Sequence, residues 1–295
     1  MDCGVITKAL STIYEQPCVE MTSDGKTISA ISDEGLCGML LEITGKQESG
    51  FVPVKTFYGY TGYISCQDIS LLAPEEAGKW EDANLWVTDG FCVDVVSLPK
   101  VQGIRLISLF RGSLLEVLAW DCEEKGWAKV RLPDGRVGYV RNQYLRKKLF
   151  SQRGALGEGI AQIPVSDEAQ FRKSVVETAR SYLGVQYRWG GRSTAGIDCS
   201  GLTSASYMLN GVLTYRDAKI MEGYPVHEIS EDAKKPGDLL YFPGHIAMYI
   251  GDGMYIHSTG KVGSSGVVIN SLNSESPLYR EDLAEKLCAV GSIFS

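Results

Sequence analysis

In the first half of the chain, apolar residues alternate with polar ones in short bursts separated by glycine turns. Trp127-Ala128-Lys129-Val130 alternates, Pro133-Asp134-Gly135-Arg136 carries turn chemistry, and Val137-Gly138-Tyr139-Val140 resumes a strand. The same pattern occurs earlier. Gly38-Met39-Leu40-Leu41-Glu42-Ile43 matches Gly112-Ser113-Leu114-Leu115-Glu116-Val117 at an offset of 74 residues. Gly50-Phe51 and Gly62-Tyr63-Ile64 match Gly126-Trp127 and Gly138-Tyr139-Val140 at an offset of 76, the difference being a loop insertion. The repeat predicts two small β-barrels, over residues 1–75 and 76–149. Residues 150–165, rich in Gly, Ser and Gln and ending in Ile163-Pro164, read as a linker.

Beyond that point the period changes. Ser166-Asp167-Glu168 supplies a capping side chain and acids for a first helical turn. Phe171, Val175, Val176, Ala179 and Leu183 follow at helical spacing until Gly184. A second helix is expected from Asp198 as N-cap, with Leu202, Ala205, Ser206 and Leu209 facing inward. Gly244 to Ile250 then alternates as a strand, and Met254-Tyr255-Ile256-His257 returns after Gly251-Asp252-Gly253. Residues 166–295 therefore read as a third domain that mixes helices with an antiparallel sheet, and the whole chain as α+β.

Composition narrows the partners. The chain has 295 residues, 44% hydrophobic and 22% charged, the mix of an ordinary globular protein. A net charge of −7 and a pI near 5.2 argue against nucleic acid, which needs a concentrated basic footprint. Arg146-Lys147-Lys148 is too short to supply one. No apolar run approaches a membrane span. Met1-Asp2-Cys3-Gly4-Val5 lacks the basic start and apolar core of a secretion signal, so a cytoplasmic protein is expected if Met1 is the true start. Eight scattered cysteines form no CxxC pair and no zinc-like spacing, so free thiols are expected, with no metal and no cofactor.

The candidate chemistry centres on Cys199, in Asp198-Cys199-Ser200-Gly201. In the first turn of a helix, free backbone N–H groups and the helix dipole stabilise a thiolate and can form part of an oxyanion hole. The chain has only three histidines, and two of them, His245 and His257, flank the Gly251–Gly253 turn. A two-residue turn at Asp252-Gly253 pairs His257 with Met248 and separates the rings onto opposite faces. A three-residue loop pairs Ile250 with Met254 and His257 with Ala247, bringing both rings to one face. That register, or an equivalent bulge, is expected. His245 then serves as general base for Cys199, with His257 orienting it. His227 lies in a polar loop and has no assigned role.

Tyr187-x-Trp189-Gly190-Gly191, Asp198-Cys199-Ser200-Gly201, Pro236-Gly237-Asp238-Leu239, Gly244 to Gly251 and His257-Ser258 resemble the NlpC/P60 family of bacterial cell-wall peptidases. The N-terminal repeat resembles bacterial SH3-like (SH3b) domains. The combination is similar to the γ-D-glutamyl-L-diamino acid endopeptidases that recycle free murein peptides with an unblocked L-alanine. The resemblance implies a papain-like core and cleavage between γ-D-glutamate and lysine or diaminopimelate. It implies Tyr187, with Cys199, on the oxyanion side, Trp189 walling the cleft, and Asp198, Ser200 and Asp217 touching the peptide. Ala218 departs from the serine often found beside the last. It also implies a Glu and a Tyr from the first SH3b domain that bind the substrate amine, for which Glu34 and Tyr60 are candidates, with Tyr63 as a substitute. A secreted wall hydrolase anchored by its SH3b domains and an inert binding protein are the alternatives.

Overall fold

The computed structural model describes residues 2–17, 20–21, 27–28 and 30–295; Cys18 falls outside them. The chain divides into two compact units, Met1–Ala161 and Gln162–Ser295.

The first unit holds two seven-stranded sheets. The strands of the first are β1 (Cys3–Ile6), β2 (Leu10–Tyr14), β3 (Ile31–Leu36), β4 (Leu40–Ile43), β5 (Phe51–Thr56), β6 (Thr61–Ser65) and β7 (Ile69–Leu72). After helix α1 (Pro74–Asp82) come β8 (Leu85–Thr88), β9 (Val93–Val96), β10 (Arg105–Leu109), β11 (Leu114–Trp120), β12 (Trp127–Arg131), β13 (Val137–Arg141) and β14 (Leu145–Lys147). The strand orders are β3-β2-β6-β5-β4-β1-β7 and β10-β9-β13-β12-β11-β8-β14. One order maps onto the other strand for strand, so the sequence repeat is a repeat of topology.

Helix α1 links the two sheets and was not foreseen, because only Ala77 of its nine residues is buried and no apolar stripe marks it. Pro74 opens it, and the Glu76 carboxylate accepts the Ala73 N–H at 3.0 Å. The Trp80 indole donates to the Gly38 carbonyl at 2.9 Å, and Leu114 N–H donates to the Cys37 carbonyl at 2.8 Å. These bonds tie the two expected domains into one compact unit.

The expected linker at 150–165 is too long. Phe150 stacks on Phe57 with ring centroids 5.5 Å apart. The buried Gln152 amide oxygen accepts the Leu40 N–H at 2.9 Å. Residues Arg153–Leu156 form a single 3₁₀ turn, also within the first unit. Gln162 already belongs to the second unit, where its amide exchanges bonds of 2.7 and 3.1 Å with Leu213.

The second unit packs two helices against a six-stranded sheet. Helix α2 (Glu168–Arg180) starts where expected, with Asp167 accepting the Gln170 N–H at 2.9 Å. Helix α3 (Cys199–Leu209) is buried on every side, not along one face. The strands are β15 (His227–Ile229), β16 (Leu239–Phe242), β17 (His245–Gly251), β18 (Met254–Thr259) and β19 (Gly266–Ser271). A short α4 (Glu281–Ala284) precedes β20 (Ala289–Ser292), and the sheet order is β15-β20-β16-β17-β18-β19. Ile246, Met248 and Ile256 from the central hairpin join Phe171, Val175, Leu202 and Tyr207 from the helices in one core.

The hairpin register decides where the histidines go. Met248 faces Ile256 and Tyr249 faces Tyr255; then Ile250 bulges and Gly251 pairs with Met254. Asp252 (φ 53°) and Gly253 (φ 71°) form a two-residue turn with positive φ at both positions. The turn therefore has two residues, not three. The extra residue at Ile250 restores the register that leaves both rings on one side.

Candidate active site

Three segments build the site. The first is the start of α3. Asp198 is in extended conformation, and its Oδ1 accepts the Gly201 N–H at 2.6 Å, as an N-cap should. Asp198 N–H donates to the Gly191 carbonyl at 3.1 Å. A Cβ added to Gly201 would lie 2.1 Å from that same carbonyl, so the backbone approach that seats Cys199 requires glycine here.

The second segment is the hairpin. The ladder between β17 and β18 ends at the Met248–Ile256 pair. Beyond it the Ile246 N–H bonds the Cys199 sulfur. The Ser258 hydroxyl donates to the Ile197 carbonyl at 2.7 Å. The start of α3 thus takes up hydrogen-bonding groups that the parting strands leave open. Nε2 of His245 lies 2.7 Å from Nδ1 of His257, and the rings meet edge to face at 5.0 Å. His257 is fully buried. The third segment is β19, whose Asn270 puts Oδ1 2.8 Å from Nε2 of His257.

Electrostatics set the resting protonation. Burial pushes the Cys199 thiol up to about 11, with the Asp198 carboxylate adding to the rise. The N–H groups of Ile246 and Ser200 and the Arg216 charge pull the other way without reversing it. Desolvation thus opposes the thiolate that the helix N-terminus favours. Burial likewise lowers His245 to about 4 and His257 to about 3, with Arg280 contributing to both. The Tyr187 hydroxyl is raised to about 12 by burial first, then by the charges of Cys199 and Asp198.

The remaining expected residues fall in several places. Trp189 is 64% exposed. Asp198 and Ser200 share a partner that the sequence reading missed. Arg216, 2% exposed, reaches Asp198 through two bonds of 3.0 Å, the Ser200 hydroxyl at 2.7 Å and the Gly191 carbonyl at 3.4 Å. No local pattern marks it, since it lies between Tyr215 and Asp217 with no helical or strand period. The Asp217 carboxylate hydrogen-bonds the Tyr215 hydroxyl. Tyr215 lines a small hollow with Thr203, Tyr224, Tyr241 and Ile246. Glu34 and Tyr60 belong to the first unit, Glu34 on β3 opposite Thr12 and Tyr60 in the turn after β5. Among the described residues no three His, Cys, Asp or Glu side chains gather as a metal site, and no helix is long and apolar enough to cross a membrane.

Residues 184–282 match the NlpC/P60 family. A relative from Lysinibacillus sphaericus, dipeptidyl-peptidase 6, is 37% identical over 292 residues, 99% of either chain. The chain belongs to the NlpC/P60 family of cell-wall peptidases. A γ-D-glutamyl-L-lysine dipeptidyl-peptidase from Bacillus subtilis is 34% identical over 145 residues, 45% of each chain. The crystal structure of an NlpC/P60 family protein from Bacillus cereus covers 98% of both chains with a TM-score of 0.72 at 21% identity, a shared fold.

Proposed function

We propose that this protein is a cysteine peptidase that cleaves the γ-D-glutamyl–L-diamino acid bond of murein peptides with a free N-terminal L-alanine. The observation that carries this reading is the His245–His257 pair, two ring nitrogens 2.7 Å apart, on the hairpin whose Ile246 N–H bonds the Cys199 sulfur at the start of α3. Its relatives' names support the bond: one is called a dipeptidyl-peptidase along its full length, another a γ-D-glutamyl-L-lysine dipeptidyl-peptidase. Release of a dipeptide from a free amine yields L-Ala-γ-D-Glu.

The Cys199 sulfur attacks the γ-carbonyl carbon as its proton passes to Nδ1 of His245, the ring nitrogen not turned to His257. Backbone N–H of Cys199 and the Tyr187 hydroxyl receive the oxyanion. The C–N bond then breaks, and the His245 proton goes to the leaving amine. Water gives a proton back to His245 as it attacks the thioester, and the C–S bond breaks with the proton returning to sulfur. Trp189, Asp198, Ser200 and Asp217 contact the peptide, with the Asp198 carboxylate helping to hold its amine. A charged amine removed from water needs such a carboxylate. The two repeated sheets are SH3b-like domains, and the enzyme recycles free murein peptides in the cytoplasm, with lysine or diaminopimelate following the glutamate.

The discriminating assay compares L-Ala-γ-D-Glu-L-Lys with its N-acetylated twin. The free peptide is expected to be cleaved at least about a hundredfold faster, the cost of roughly 3 kcal/mol for leaving the amine-binding carboxylate unpaired. Equal rates would move the activity to intact wall. In acid, the neutral base persists until pH falls through the lowered value of His245. The acid limb of kcat/KM is therefore expected close to pH 4. A limb between 6 and 7 would mean that the pair ionises as it does in water.

A further inference from the structure

The histidine line ends on an asparagine that no motif marks. Asn270 Nδ2 donates to the Leu278 carbonyl at 3.0 Å. That bond fixes the amide, because a carbonyl accepts and only the NH₂ end can face it. The Leu278 carbonyl is itself held in place, accepting the Ser271 N–H at 2.9 Å, while Arg280 N–H returns to the Ser271 carbonyl at 3.4 Å. Residues 278–280 thus run beside β19 as a short edge, with a parallel bridge between Ser271 and Tyr279.

The consequences propagate inward one proton at a time. Oδ1 of Asn270 can only accept, so the His257 nitrogen 2.8 Å away, Nε2, carries the proton. Nδ1 of neutral His257 is then a lone pair, and it accepts from Nε2–H of His245 at 2.7 Å. Nδ1 of neutral His245 is left bare. We propose that Asn270, anchored by the Leu278 carbonyl, is a positioning residue that sets the tautomers of both histidines and so presents a basic Nδ1 to the Cys199 thiol.

This rests on the cysteine peptidase reading above. It assigns a task to a residue 71 positions from the nucleophile, whose side chain hydrogen-bonds His257 and Leu278. The charged or titratable groups that act on the pair are Tyr255 from β18 and Arg280 and Asp282 from the segment after β19, while Cys199 of α3 is bonded by the N–H of Ile246, next to His245. Arg280 and Asp282 are bonded to each other at 2.7 and 2.8 Å. Their fields on the rings oppose one another, leaving neutral hydrogen-bond geometry to select the tautomer.

Nitrogen-15 NMR of the three histidines in the full chain at pH 7 tests this directly. His245 and His257 are both expected as the Nε2–H tautomer; either ring found as Nδ1–H overturns the proposal. Kinetics give a second reading. Asn270→Leu is expected to lower kcat about 10- to 100-fold with KM little changed, a loss typical of orienting partners. Asn270→Asp still accepts from Nε2–H, so it should restore kcat to within about tenfold. Its negative charge favours imidazolium and should raise the acid limb by about one pH unit or more. Wild-type rates and pH profile in both variants would sink the positioning role while Cys199→Ala remained inactive. Full activity of Cys199→Ala would instead sink the peptidase mechanism itself. If Asn270→Leu unfolds, the wild-type tautomers still decide.

Discussion

Cys199→Ala is expected to lose about 10⁴- to 10⁶-fold in kcat toward L-Ala-γ-D-Glu-L-Lys while its unfolding midpoint stays near that of the wild type. The size of the loss follows from a nucleophile and base that act as a unit, so removing one leaves the other idle. His245→Ala should therefore fall by a similar factor, and the double variant scarcely further. The fold should tolerate the change, because the lost atom is one sulfur at a helix start whose cap, Asp198, and whose packing against Gly191 remain. That combination separates a chemical role from a structural one. A variant that kept more than about a tenth of the wild-type rate would remove the sulfur from the mechanism.

The largest effect on stability is expected at Arg216→Met. The guanidinium is 2% exposed and is the counter-charge of Asp198, itself 7% exposed. Taking it away leaves a buried carboxylate with no cation, which costs about 3–5 kcal/mol. For a protein of this size that lowers the melting temperature by roughly 10 °C. Asp198→Asn on its own keeps the cap oxygen but strands the arginine. The two changes together should recover most of the loss, since a neutral pair of similar volume has no charge to desolvate. Calorimetry of the four forms of the full chain makes the cycle. A loss below about 1 kcal/mol for Arg216→Met would place this pair with ordinary surface ion pairs.

The parts of the molecule that were legible in the sequence are those whose cause is local. Asp167 and Asp198 were recognisable as caps because the capping oxygen and its N–H lie three residues apart. The two histidines could be placed on one face because alternation along a strand carries the information, needing only a count of residues across the turn. Of the two expected routes to that register, the chain takes the bulge, at Ile250, with a two-residue turn in place of a three-residue loop. The repeat at offsets of 74 and 76 located matching strands, but not the shared seven-strand order.

What was not legible acts across long separations. Arg216 meets Asp198 from 18 residues away, and Asn270 meets His257 from 13 residues away on the next strand. Neither sits in a pattern that periodicity can reveal, and both appear only when strands and loops are placed together. The burial that raises the Cys199 thiol has a related origin. A helix start is visible in sequence, whereas the depth of packing around it depends on segments far along the chain.

The order of these segments along the chain governs when activity can begin. Cys199 leaves the ribosome long before His245, and the Leu278 carbonyl emerges last, 79 residues after the nucleophile. On the proposed relay, the basic nitrogen of His245 is set only when that final stretch docks along β19. If the proposed tautomer relay holds, a nascent or half-assembled chain carries a thiol without a working base, and activity is expected only once residues 278–280 lie beside β19.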